Sequence, residues 1–230
     1  MNLFYAAVLT AGLIGCQSTG EKQVKLETQK EKVSYSIGLN VGNSLKKDSI
    51  LITPEAFLRG VLDATADSAH RLMNDSSVQA TMMAFQQDMR TKRMESAKAL
   101  GEKNRLAEEA FLAENANKPG VVTLTSGLQY KILAEGKGKM PTAKSTVTAN
   151  YVGKLLDGTE FDNSYKRGEP MTFPVTGVIK GWTEALQLMR EGSKWELFVP
   201  SKLAYGENGA GGVIPPNAAL VFEVELLSVK

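Results

Sequence analysis

The C-terminal half of the chain carries an excess of aromatic side chains, spaced through segments of strand and loop character. They are Tyr151, Phe161, Phe173, Trp182, Trp195, Phe198, Tyr205 and Phe222. Taken singly, each is explained most simply as part of a core, because large apolar side chains are usually buried. Gathered around one hollow, they would instead form an apolar site that excludes water from the group it binds.

The residues beyond position 120 contain neither His nor Cys, so a Ser/His/Asp triad is excluded in this half. No phosphate-binding glycine motif opens a helix there, and the glycine-rich run 209–212 precedes Pro215-Pro216, as in a flexible loop. The whole chain has one Cys and one His, His70, which is typical of an ordinary surface or core residue. We therefore expect no disulfide, no metal site and no cofactor.

The length and charge of the chain limit its organisation and partners. At 230 residues, 43% of them hydrophobic, the chain can form two domains with a sizeable core. It has 27 basic and 25 acidic side chains, a formal net charge of +2. So small a net charge does not produce a positive electrostatic field strong enough to bind along a phosphate backbone. Nucleic acid is therefore not a predicted partner.

Short segments rich in β-branched and aromatic residues predict strands after position 120. They cover residues 121–124, 128–133, 145–152, 194–199 and 219–229. Asp157-Gly158 marks a tight turn, and residues 182–189 are the one segment of helical character in this half. The predicted fold is α+β: an antiparallel sheet wrapped on a short helix, over residues 121–230.

Two helices are predicted before residue 77, in a segment (31–77) that would form a helical domain. The first has an apolar face that recurs every four positions, at Val33, Ile37, Val41 and Leu45. The second starts at Thr53-Pro54-Glu55, where a cap, a proline and an early carboxylate coincide, and would end near Asp67.

A long helix is predicted over residues 78–117, because Pro119 is the first proline after it and Gly120 permits a reversal. Its middle, from Arg90 to Arg105, is dominated by polar and charged residues. A helix with so little apolar surface can cross solvent, so we expect it to connect two domains.

Gly38 and Gly42 lie beside the apolar face of the first helix. Glycine costs about 1 kcal/mol at a helical site relative to alanine, so the pair suggests that another backbone approaches closely. The predicted helices are too thin to bury their own apolar faces. We therefore expect a homodimer formed through the N-terminal helices.

The first 15 residues are apolar and carry no charge, which is typical of a signal peptide rather than a membrane span. They lead into Leu13-Ile14-Gly15-Cys16, which resembles a bacterial lipobox with Cys16 as the lipidated residue. Alternatively, Cys16 is incidental, since the basic residues that usually precede the apolar run are missing. Residues 16–30 are polar and suit a tether to a membrane.

Five ordered segments in the C-terminal half resemble those of the FKBP-type peptidyl-prolyl isomerases. They are residues 150–153 (Asn-Tyr-Val-Gly), 158–164 (Gly-Thr-Glu-Phe-Asp-Asn-Ser), 178–182 (Val-Ile-Lys-Gly-Trp), 203–206 (Leu-Ala-Tyr-Gly) and 214–226, which begins Ile-Pro-Pro-Asn. The resemblance runs over about residues 122–230. More loosely, residues 34–38 and 57–60 resemble the helical dimerisation region of the macrophage infectivity potentiator group of bacterial envelope proteins.

The resemblance implies a proline pocket whose floor is Trp182. Tyr205 and the Ile179 amide would bind substrate carbonyls, while Arg167 would hold Asp162 and Tyr151. Asp162, Tyr205 and Ile179 are thus the expected catalytic residues. The expected substrate-binding residues are Tyr151, Phe161, Arg167, Met171, Phe173, Val178, Trp182, Ile214 and Phe222. Met171 departs from many relatives, which place a phenylalanine there, so altered selectivity is expected.

The function implied is prolyl isomerisation of unfolded or nascent exported proteins, by an enzyme held in the bacterial cell envelope by a lipid anchor or free in the periplasm. Two pockets in a dimer would also suit a chaperone. Two alternatives stay open from the sequence. One is a peptide-binding chaperone module without catalysis, and the other is a passive envelope scaffold, against which the aromatic residues argue.

Overall fold

A computed structural model of the chain describes residues 24–66 and 71–230. The predicted signal peptide, Cys16 and His70 lie outside the described residues. The chain divides between Asp75 and Ser76 into two compact units. No helix within residues 24–66 and 71–230 combines the length and the apolar character needed to cross a membrane.

The first unit contains α1 (Gln29–Lys47) and α2 (Pro54–Thr65). A capping box starts α1: the Thr28 hydroxyl accepts the Glu31 amide at 3.2 Å, and the Glu31 carboxylate accepts the Thr28 amide at 2.7 Å. Pro54 occupies the first turn of α2, where its missing N–H costs nothing. Neither helix contains a buried residue.

The second unit begins with a single long helix, α3 (Asp75–Asn115), whose first residue is the last of the first unit. It begins three positions before the predicted start, at an acidic residue that favours the positive end of a helix. It ends two positions early, because Asn117 and Lys118 bond back to Glu114 and Asn115 in tighter turns before Pro119. Residues 90–100 are exposed, as their polar character predicts, whereas Gly101 and Asn115 are buried.

The second unit is built on an antiparallel sheet of seven strands. These are β1 (Val121–Thr123), β2 (Gln129–Ala134), β3 (Thr146–Leu155), β4 (Glu160–Asn163), β5 (Met171–Pro174), β6 (Lys194–Val199) and β7 (Leu220–Val229). The sheet order is β1-β2-β6-β7-β3-β4, with β5 also pairing β3. The sequence did not predict β4 and β5, because Asp162, Asn163 and Pro174 are residue types that are depleted in strands.

Two short helices complete this unit: α4 (Ser164–Arg167) and α5 (Lys180–Leu186). The core forms between the sheet and α5, where Leu186, Leu197 and Val224 are fully buried. The predicted helix at 182–189 corresponds to α5, although α5 begins two residues earlier. The predicted α+β fold, with helices first and a sheet on a short helix afterwards, is confirmed.

Candidate functional site

A hollow of about 310 Å³ opens beside the N-terminus of α5. It is lined by Tyr151, Phe161, Asp162, Met171, Phe173, Gly177, Val178, Ile179, Trp182, Tyr205 and Phe222. These residues come from β3, β4, β5, β7, α5 and two loops, so the fold brings together side chains from distant parts of the sequence. The lining is mostly aromatic and aliphatic.

Trp182 is the least exposed of the residues that line the hollow, and we call it the floor. It lies in the first turn of α5 and is 4% exposed. Its ring meets Tyr151 and Phe222 nearly edge-on, with centroids 5.1 and 5.2 Å apart, and Phe173 at 5.7 Å. Such contacts are a preferred geometry for aromatic pairs. Its indole nitrogen is buried without a hydrogen-bond partner among the described residues.

One side of the hollow carries a polar network. The Tyr151 hydroxyl donates to Asp162 Oδ2 at 2.5 Å, and Asp162 Oδ1 forms an ion pair with Arg167. Arg167 also donates to the Tyr151 hydroxyl at 2.9 Å. Burial and the Asp162 carboxylate raise the pKa of Tyr151 above its ordinary value, which favours the protonated phenol that donates to Asp162.

Arg167 bonds to two lining residues, Tyr151 and Asp162, but does not itself line the hollow. Arg167 is the last residue of α4, which Asn163 caps, since the Asn163 side chain accepts the amides of Tyr165 and Lys166. This turn carries Arg167 back over the Tyr151 ring, with its guanidinium carbon 5.3 Å from the ring centroid. The position fits the role that the family resemblance implies for it.

Met171, Ile179 and Tyr205 lie around the rim and walls. The Met171 sulfur is 3.6 Å from the Tyr151 hydroxyl, and its side chain is 45% exposed. Ile179 precedes α5, and its carbonyl accepts the amides of Trp182 and Thr183 at 3.0 Å. Tyr205 is 41% exposed, so its side chain can reach a bound chain from the solvent side.

Ile214 does not line the hollow. Its backbone pairs with Ala210 through two hydrogen bonds of 2.9 Å, which fold the glycine-rich loop back on itself. The Ile214 side chain is consequently buried in the core cluster, with 7% of it exposed. Ile214 thus supports the loop from within, and its expected contact with substrate stays a prediction.

Three residues around the hollow were not assigned a role from the sequence. Gly177 contributes to the lining. The fully buried Ser164 accepts the Tyr151 amide at 2.9 Å and donates to the Asn150 side chain, which fixes the backbone of Tyr151. Gly153 lies opposite Phe222 in the sheet. Both Ser164 and Gly153 belong to segments that resemble the family, which was the one available indication.

No side chain can be accommodated at position 153, because the rings of Phe161 and Phe222 occupy the space that it would need. A Cβ atom there would lie 2.7 Å from Phe161 and 2.8 Å from Phe222. We expect Gly153→Ala to lower the free energy of unfolding by about 1–3 kcal/mol through overpacking. Displacement of both rings should also change the shape of the hollow. Chemical denaturation checks the first effect, and Gly60→Ala, which meets open space, is the control. Unchanged stability in Gly153→Ala would contradict this account of the packing.

Comparison with known proteins identifies the family. A family model described as FKBP-type peptidyl-prolyl cis-trans isomerase matches residues 137–227. A second model, the domain amino terminal to FKBP-type peptidyl-prolyl isomerase, matches residues 30–132.

Similar proteins align along nearly the whole chain. Peptidyl-prolyl cis-trans isomerase Mip of Coxiella burnetii is 45% identical over 222 residues, 96% of each chain. Outer membrane protein MIP of Legionella longbeachae is 42% identical over all of this chain and 98% of its own. The crystal structure of FkpA from Escherichia coli has a TM-score of 0.73 and 37% identity, and covers 90% of this chain and 99% of its own. With the aromatic hollow, these similarities show that the chain belongs to the FKBP-type peptidyl-prolyl cis-trans isomerases.

Proposed function

We propose that this isomerase receives a prolyl ring in the aromatic hollow and lowers the rotational barrier by excluding water from the X-Pro amide. The observation that carries the proposal is the floor formed by Trp182, with Tyr151, Phe173 and Phe222 packed around it. The hollow is large enough for a five-membered ring and its flanking amide, and its walls are largely apolar.

The barrier arises from amide resonance. Peptide bonds generally resist rotation by about 18–20 kcal/mol, and X-Pro bonds isomerise over tens to hundreds of seconds. The planar amide separates more charge than the twisted one, so loss of water destabilises the planar form more. A reduction of the barrier by about 7 kcal/mol would accelerate rotation roughly 10⁵-fold. This mechanism uses no acid, base or nucleophile.

The polar groups at the hollow would orient the substrate chain. We assign the Ile179 amide and the Tyr205 hydroxyl to substrate carbonyls on either side of the prolyl ring. Asp162 would face the reacting amide while Tyr151 and Arg167 hold its two carboxylate oxygens. A carboxylate held in this way keeps one orientation, which is the requirement for acting on a single amide.

The Tyr205 hydroxyl provides the direct test. We expect Tyr205→Phe to lower kcat/KM on a proline tetrapeptide by about 5- to 10-fold, because one substrate hydrogen bond contributes about 1–1.5 kcal/mol. Tyr165→Phe is the matched control: Tyr165 is 47% exposed and donates to Glu225, away from the hollow. Wild-type turnover in Tyr205→Phe would remove the hydroxyl from the mechanism.

We further propose that residues 31–77 hold two copies together, that residues 78–117 connect them to the isomerase domain 121–230, and that the assembly is a homodimer. Apolar side chains on both N-terminal helices are exposed: Ile37 by 59%, Phe57 by 43%, Val61 by 46% and Leu62 by 54%. Cβ atoms at Gly38 and Gly42 would meet nothing within 4 Å in the described residues. A second copy would bury these surfaces.

A charge on the apolar side of α2 should separate the copies. We expect wild type to sediment as a dimer at micromolar concentration and Val61→Glu as a monomer, since an unpaired carboxylate cannot be buried without a large cost. Tetrapeptide turnover per chain should remain unchanged. Lys30→Glu, in the exposed first turn of α1, is the control. A monomeric wild type would refute the proposal.

A location in the cell envelope is supported by the name of one relative, Outer membrane protein MIP. We propose that residues 1–15 are removed as a signal peptide, that Cys16 is lipidated and that residues 16–30 form a tether to the membrane. Equal incorporation of a labelled lipid precursor into wild type and Cys16→Ala would rule out the anchor.

The clients would be proline-containing unfolded or nascent exported proteins. Because two pockets in a dimer raise the effective concentration for a bound client, weak sites could act together as a chaperone. The exposed apolar helices also permit the alternative, a module that holds clients without using turnover. Suppression of aggregation of a proline-free client, undiminished by Asp162→Leu, would favour holding.

A further inference from the structure

The C-terminal part of α3 packs on the isomerase domain along one face. The residues on this docked face lie on one side of the helix, because each is three or four positions from another member of the set. They are Gly101, Asn104, Glu108, Phe111, Leu112 and Asn115. Three of these six side chains are polar, and the bonds that the face makes fall into two groups.

One group reaches the segment that carries Tyr205. The Glu108 carboxylate accepts the Ser201 amide at 2.7 Å, four positions before Tyr205. The Asn104 side chain donates to the Pro216 carbonyl at 2.8 Å. The Asn217 side chain in turn donates to the Gly101 carbonyl at 3.4 Å. The helix therefore holds both ends of the segment 201–217.

The same segment is closed on itself around Tyr205. The Asn217 amide donates to the Gly206 carbonyl at 2.8 Å, and the Ala204 amide donates to the Ser201 carbonyl at 2.9 Å. Tyr205 thus lies between two residues whose positions depend on the groups that α3 holds. If Ser201 moved, its hydrogen bond would displace Ala204, and if Asn217 moved, its hydrogen bond would displace Gly206. Either movement would shift Tyr205, which lies between them.

The close packing of α3 at Gly101 against Pro216 and Asn217 leaves little room for such a shift. A Cβ atom at this position would lie 3.2 Å from both Asn217 Nδ2 and Pro216 Cβ. Glycine is the poorest helix former after proline, yet it stands in the interior of α3. Close approach of the helix to the end of the Tyr205 segment accounts for its presence.

The other group of bonds holds the helix to a different part of the domain. The Asn115 side chain donates to the Gln129 side chain at 2.9 Å, and Gln129 donates to the Leu112 carbonyl at 2.8 Å. Phe111 packs on Phe198 with ring centroids 5.9 Å apart. These contacts dock α3 on β2 and β6 and make no bond to residues 201–217.

We infer that Glu108 and Asn104 are positioning residues for Tyr205, so that the end of α3 completes the isomerase site. The inference rests on the proposed function, in which Tyr205 binds the substrate. The isomerase unit would then begin at about Gly101 rather than at the first strand. Neither side chain touches the hollow, so both act through the Tyr205 segment.

The test uses the full chain and a proline tetrapeptide, with kcat and KM measured separately. We expect Glu108→Ala and Asn104→Ala each to lower kcat/KM by about 3- to 10-fold, on the scale of one lost hydrogen bond. Glu108→Gln should restore most of the loss, because its amide oxygen can still accept the Ser201 amide. Asn115→Ala, which loosens the other group of bonds, should leave kcat/KM within about twofold of wild type.

A double-mutant cycle decides whether the effect passes through Tyr205. In a Tyr205→Ala background, Glu108→Ala should change kcat/KM by less than about twofold. The inference is overturned if the effect of Glu108→Ala is the same in both backgrounds, or if Asn115→Ala loses as much turnover as Glu108→Ala. If Glu108→Ala fails to fold, Asn104→Ala in the same cycle gives the decision. Failure of the proposed hydroxyl role is separate, since it would appear as wild-type turnover in Tyr205→Phe alone.

Discussion

Asp162→Leu is expected to lose about 10- to 100-fold in kcat/KM on a proline tetrapeptide while it keeps its fold. The carboxylate accepts the Tyr151 hydroxyl and pairs with Arg167, so its removal leaves a phenol and a guanidinium without their shared acceptor. Hydrogen bonds to charged groups contribute about 1.5–3 kcal/mol, and each 1.36 kcal/mol corresponds to a factor of about ten in rate.

Leucine has the same number of side-chain heavy atoms as aspartate and branches at the same position, and Asp162 is partly exposed, so gross unfolding is not expected. Asp88→Leu is the matched control, because Asp88 lies on the exposed part of α3 and pairs with Lys92 at 2.8 Å, away from the hollow. Circular dichroism of both variants tests the fold. Turnover of Asp162→Leu equal to that of Asp88→Leu would exclude the carboxylate from the mechanism.

Trp182→Ala should combine the largest loss of stability with a loss of activity. Truncation of a buried tryptophan leaves a cavity that costs about 3–5 kcal/mol. The same truncation removes the floor against which Tyr151, Phe173 and Phe222 pack, so the hollow would no longer enclose a prolyl ring. Trp182→Phe should be milder, because the indole N–H that it removes is buried without a partner among the described residues.

Trp195 offers a matched control within the same domain. It is 5% exposed, close to the 4% of Trp182, and it stacks on Tyr130 with ring centroids 4.3 Å apart. It does not line the hollow. Trp195→Ala should therefore lose about as much free energy of unfolding as Trp182→Ala, measured by urea denaturation. Its kcat/KM, measured without urea where the variant is folded, should match that of wild type. Equal loss of turnover in the two alanine variants would mean that Trp182 matters only for folding.

Much of the fold follows from local patterns. The apolar period of α1, the proline start of α2 and the proline stop after α3 are local features, and these helices form where such features predict. β4 and β5 were not predicted. Both pair with β3, and this pairing stabilises their extended conformation more than the residue types of the two segments do.

The composition of the hollow could be anticipated because ordered motifs resembled a family, and Tyr151, Asp162, Trp182 and Tyr205 do meet around it. Residues that support the hollow could not be assigned in this way. The absence of a side chain at Gly153 is needed only because Phe161 and Phe222 approach from two different strands. Ile214 turned inward because a backbone pair with Ala210 determines the course of its loop.

The amino-acid sequence by itself determined the order of the elements, the α+β class and the aromatic residues available for a prolyl pocket, since periodicity, capping and residue type act over short distances. Only the tertiary structure decided which polar residues form hydrogen bonds to distant parts of the chain instead of facing solvent. Asn104 and Glu108 look like ordinary exposed positions of a charged helix, and their partners are the backbone groups of Pro216 and Ser201. Every residue type presents the same backbone carbonyl, and nearly every one the same amide, so no sequence pattern marks such a partner until the chain has folded.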